Sequence, residues 1–63
     1  MKKYRILDTI RVFSGVVFEA EEVNKDILEA ILGRSLPKLF ITQTSYGYLV
    51  RNEHFTLKIY EVN

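Results

Sequence analysis

Sixty-three residues make one domain, 1–63, and a chain this short buries only about 60% of its unfolded surface, so its core alone contributes roughly 3–5 kcal/mol of stability. It has no cysteine, which excludes disulfides and thiolate metal sites, and one histidine, which excludes multi-histidine zinc sites. A net charge of +1 is far from the basic footprint of a dedicated nucleic-acid binder, and 48% hydrophobic residues leave a tight core or oligomerisation as the stabilising device.

The chain opens Met1-Lys2-Lys3, a charged start like that of a signal peptide, but Asp8, Thr9 and Arg11 interrupt the apolar run before it develops. No export signal and no membrane span is read, and without cysteine the expected location is cytoplasmic. The leading methionine reads as the start of a complete small gene product.

From Tyr4 to Phe13 the apolar residues alternate, with Tyr4, Ile6, Ile10 and Val12 on one face and Asp8 interrupting it. Ser14-Gly15 marks a turn, and Val16 to Val23 is a second extended run. A three-residue loop, Phe13-Ser14-Gly15, sets Val12 opposite Val16, Ile10 opposite Phe18 and Asp8 opposite Ala20, keeping the apolar residues together. A two-residue loop would set Ile10 against Glu19. The three-residue form is therefore expected. It aims Asp8 inward, and a bulge that turns the carboxylate outward is the expected remedy, ahead of a neighbouring base or a less buried face.

Asn24 to Gly33 is the helical stretch. Ile27, Leu28, Ile31 and Leu32 share one face at 3.6 residues per turn, and Lys25, Asp26 and Glu29 point away. Asn24 suits the N-cap, Asp26 the first turn and Gly33 the C′ position, so the spacing predicts a helix from about Lys25 to Leu32. Pro37 prevents its resumption.

Leu39 to Arg51 is rich in β-branched and aromatic residues and reads as one strand, bent near Ser45 to Gly47. Pairing across Asn52-Glu53 sets Val50 opposite Phe55, Tyr48 opposite Leu57 and Tyr46 opposite Ile59. The expected architecture is α+β, ββαββ: a four-stranded antiparallel sheet with one helix packed on one face. The helix should meet Ile10, Val12, Phe18, Tyr48, Leu57 and Ile59.

Charge is unevenly spread along the chain. Residues 1–11 carry +3, residues 12–33 carry −4 and residues 34–63 carry +2, with the acids at Glu19, Glu21, Glu22, Asp26 and Glu29. A solvated face accounts for this acidic block better than a binding patch does.

Catalytic chemistry finds little to use. His54 sits in a turn beside Glu53, and neighbours in a turn point apart, so no nucleophile–base–acid relay is expected. Glu19 and Glu21 share a strand face about 7 Å apart, but a working carboxylate pair needs a cleft that shifts a pKa. Gly15, Gly33 and Gly47 are isolated and form no phosphate loop. No enzyme activity, cofactor or metal is expected.

Binding is better supported. Leu49, Tyr60 and Val62, with Leu39 and Ile41, fall opposite the helix-facing set, and an apolar strip on that scale is seldom left in water. The leading expectation is a small protein-interaction module of regulator or inhibitor type, in a size class common among phage and mobile-element products. Leu49, Tyr60 and Val62 would be its contact strip, with Arg51 and Lys58 as charged rim. A homodimer that covers Leu49, Tyr60 and Val62 is also expected, since identical chains are always present together. The alternative is a nucleic-acid binder using a basic and aromatic sheet face built from Lys2, Lys3, Arg5, Arg51, Lys58 and Tyr60. No stretch matches a motif of the cold-shock, KH or RNA-recognition domains.

Overall fold

The strands with the longest alternation become the centre of the sheet. In the computed structural model, which describes residues 1–62, β1 (Lys2–Asp8) and β5 (Thr56–Val62) pair antiparallel, Ile6 opposite Ile59 and Asp8 opposite Leu57. β2 (Val17–Ala20) flanks β1, while β4 (Gly47–Arg51) and then β3 (Phe40–Gln43) follow β5. Among the described residues the sheet therefore has five strands in the order β2-β1-β5-β4-β3, all antiparallel, with one helix, α1 (Lys25–Leu32), between β2 and β3 in the chain. This corrects the expected four-stranded ββαββ sheet.

The extra strand comes from Leu39 to Arg51, which is a hairpin rather than one bent strand. Thr44 and Gly47 close it: the Thr44 N–H donates to the Gly47 carbonyl at 2.9 Å, and the Gly47 N–H to Thr44 Oγ1 at 3.1 Å. Gly47 has φ +149°, and a Cβ there would run into the backbone oxygen of Ile59 on β5. Only glycine lets the two backbones approach so closely.

The two-residue turn at Ser45-Tyr46 also changes which residues share a face. It pairs odd positions with even ones, Ile41 with Val50 and Thr42 with Leu49. Ile41 therefore joins the core side, and Leu39 also packs against the core. Both leave the open strip to which the sequence assigned them.

The other two hairpins have the expected faces but not the expected registers. β1 meets β2 with Tyr4 opposite Phe18 and Lys2 opposite Ala20, six positions from the predicted pairing, so Ile10 and Val12 lie in the loop and are exposed. β4 meets β5 with Val50 opposite Leu57 and Tyr48 opposite Ile59, two positions from the prediction. Both shifts are even, and side chains alternate with period two, so Phe18, Ala20, Leu57 and Ile59 still face inward.

Asp8 explains the first shift. Its side chain is 6% exposed and points inward, as alternation requires. Neither a bulge at Asp8 nor a base solves its burial: Oδ1 accepts from the Ile10 N–H and Oδ2 from the Phe13 N–H, both at 3.1 Å. Its carbonyl accepts from the Arg11 N–H at 3.0 Å, and its own N–H donates to Ser14 Oγ at 2.8 Å. Asp8 thus ends β1 and folds the loop around itself, an arrangement typical of short carboxylates. A bulge does occur nearby, where Gly15 and Val16 both bond Ile6.

The helix follows the sequence closely. Asn24 Oδ1 accepts from the Ile27 N–H at 2.9 Å, and Gly33, at φ +70°, sends its N–H to the Glu29 carbonyl. Leu28 is fully buried, and Ile27, Ile31 and Leu32 pack partly against the core. Eight residues span only about 12 Å, too little to cover five strands alone. Phe13, Val23, Leu36 and Phe55, from the connections, complete the layer over Tyr4, Ile6, Val50, Leu57 and Ile59.

Candidate interaction surface

Alternation dictates what the uncovered face of the sheet carries. Opposite the core residues of β1 stand Lys3, Arg5 and Leu7; opposite those of β5 stand Lys58, Tyr60 and Val62. The register then places Arg5 beside Tyr60, Leu7 beside Lys58, and Lys58 beside Leu49. Arg51 and Phe40 share the outer end of the same face, and Val17 and Glu19 line its other edge.

This face is charged in one sense. Among the described strand residues that alternate onto it, Lys3, Arg5, Arg51 and Lys58 are bases and Glu19 is an acid. The other acids of the central block, Glu21, Glu22, Asp26 and Glu29, lie beyond the end of β2 or on α1. The open sheet face is therefore predominantly basic.

A shallow hollow of about 390 Å³ lies on the open face, lined by Arg5, Leu7, Tyr60, Glu61 and Val62. Leu7 is 47% exposed and forms its apolar side. The Tyr60 ring is tilted against that of Tyr46, with centroids 4.7 Å apart, and this contact steadies it. At the sheet edge Phe40 is 67% exposed.

The two residue sets singled out from the sequence converge here. Leu49, Tyr60 and Val62 are half-buried on the open face with Arg51 and Lys58 among them, and Lys3 and Arg5 extend the same surface. Lys2 does not belong to it: it alternates to the covered face, and its amine lies 3.6 Å from Glu61. Leu7, Val17 and Phe40 belong to the surface but were missed. The signal for Leu7 was present, since it continues the Lys3, Arg5 alternation in β1.

A second recess, about 410 Å³, opens on the covered face beyond the helix and is lined by Lys2, Tyr4, Gln43, Tyr48 and Glu61 among others. Burial is the main cause that raises the Tyr4 phenol above its ordinary range, with Tyr48 and Glu61 adding to it. Within it the Tyr4 and Tyr48 rings meet edge-on, and Lys2 pairs with Glu61.

The remaining titratable candidates are dispersed. His54 Nε2 lies 3.6 Å from Glu53 Oε1, closer than two neighbours pointing apart would be, but both side chains stand in solvent. Glu19 is exposed on the open face, and Glu21 lies beyond the end of β2. Among the described residues, no three His, Cys, Asp or Glu side chains are grouped to hold a metal, and no helix is long and apolar enough to cross a membrane.

Compared with known families, with curated proteins and with solved structures, the chain matches none.

Proposed function

We propose that this protein is a non-catalytic interaction module of the cytosol, of regulator or inhibitor type, that takes an acidic protein partner on the open face of its sheet. The observation that carries the reading is the hollow lined by Arg5, Leu7, Tyr60, Glu61 and Val62, set in a face onto which four basic and one acidic strand residues alternate. An apolar side chain of the partner would seat in the hollow, and carboxylates beside it would meet Arg5 and Lys58. Leu49 and Arg51 extend the contact along β4.

Two other occupants fit less well. Single-stranded nucleic acid wants several open aromatic platforms, and the central candidate here, Tyr60, is engaged by Tyr46. A second copy of the chain on the same face would bring like charges together across a two-fold axis, since each copy presents the same four bases.

Selection of peptides from a random display library on the immobilised protein tests this reading. Enrichment of sequences combining Asp or Glu with a large apolar residue is expected, with binding weakened about tenfold or more by Leu7→Ser or Arg5→Glu. Tight binding of oligo(dT) or oligo(U), lost steeply with salt and weakened by Lys58→Ala, would replace it with the nucleic-acid reading. Enrichment of basic or charge-indifferent peptides would overturn it.

A further inference from the structure

We propose that the free edge of β3 joins two copies of this chain, antiparallel, into one continuous sheet. The interface rests on the backbone of the sheet's edge, and of the open-face residues it engages only Phe40 and Thr42, at that edge.

The ladder of β3 determines which groups are free. Thr44 and Gly47 bond one another, and bonding alternates along an antiparallel pair, so Thr42 and Phe40 point their N–H and C=O at β4. Ile41 and Gln43 therefore point theirs outward, at the sheet's edge. A two-fold axis centred on Ile41 sets that residue opposite the partner's Ile41 and Gln43 near the partner's Leu39. Ile41 and Gln43 are both odd-numbered, so the outward groups of β3 face the partner's edge without adjustment, with Leu39 one residue before the strand. The same axis brings Phe40 opposite the partner's Thr42, removing from water a ring that is 67% exposed.

Composition separates this edge from the other. β3 is Phe-Ile-Thr-Gln and carries no charge, whereas β1, β2, β4 and β5 each carry at least one charged residue. Edge strands normally carry lysine, proline or an inward charge that prevents pairing. β2, the opposite edge, has Glu19 at its middle and Glu21 and Glu22 beyond its end, so two copies would repel there. β3 meets no such repulsion with its own copy, and identical chains are always present together.

Sedimentation velocity on the chain and three variants tests the proposal. Gln43→Pro removes an outward N–H without touching the β4 ladder, and Phe40→Lys puts a charge on the edge at an exposed position. Each should raise the dimer dissociation constant about tenfold or more while far-ultraviolet circular dichroism is unchanged. Leu49→Asp, on the open face, should leave the dimer intact. A native chain that stays monomeric at high micromolar concentration overturns the proposal. So does a dimer that Leu49→Asp dissolves and Phe40→Lys does not, which holds even if Gln43→Pro fails to fold. Peptide binding at the open face is read separately, so either idea can fail alone.

Discussion

Replacing Asp8 by alanine removes both carboxylate acceptors from the 9–16 loop. The Phe13 N–H is left buried without a partner, and an orphaned buried donor costs about 1–3 kcal/mol. The Ile10 N–H is only partly buried, so water takes over much of its bond and the further loss is about 0.5–1 kcal/mol. The total, about 1.5–4 kcal/mol, approaches at its upper end the whole stability expected of so small a core. In urea, Asp8→Ala should therefore be largely unfolded or have a much lower midpoint. Asp8→Asn, which keeps one acceptor, should fall between it and the native chain. An Asp8→Ala midpoint within about 0.5 kcal/mol of native would show that the carboxylate does not hold the loop, and would refute the reasoning.

Two more outcomes follow from the same hydrogen-bond and backbone geometry. Gly47→Ala drives a Cβ into the Ile59 carbonyl and should cost at least about 2 kcal/mol, read as a fall in the thermal midpoint, whereas Gly33→Ala meets no atom and should cost only the strain of its positive φ. Glu29 Oε2 accepts from the partly buried Leu36 N–H at 2.7 Å, and this bond, with Lys25 adding to it, holds the carboxyl below its ordinary range. A lowered folded-state pKa gives stability that is present above the unfolded value and lost as pH falls through the folded one. Urea midpoints should drop from the ordinary carboxylate range downward in the native chain, and Glu29→Gln should flatten that part of the profile.

Local signals carried far in this chain. The helix from Lys25 to Leu32, its Asn24 and Gly33 caps and its buried Leu28 were all legible, because caps and helical periodicity are decided within one or two turns. So was the inward or outward sense of most strand residues, since period-two alternation survives any even shift of register. That is why Leu49, Tyr60, Val62, Arg51 and Lys58 stand together on one face although the pairings expected for them were displaced.

Three things were decided only by the folded chain. Strand count turned on Gly47, whose close approach to Ile59 makes a hairpin from what alternation reads as one strand, and the odd-to-even turn at Ser45-Tyr46 then carried Ile41 to the other face. The β1–β2 register turned on Asp8, because a buried carboxylate can be satisfied by the N–H groups of its own loop as well as by a base, and pattern reading weighs side chains rather than backbone donors. The open face itself arose from joining β1 to β5, residues more than fifty positions apart: only that pairing brings Arg5 beside Tyr60 and makes one surface of two distant basic segments. Local chemistry sets which way a side chain points, but the partner it points beside is chosen by non-local backbone pairing, which leaves no periodic trace in the chain.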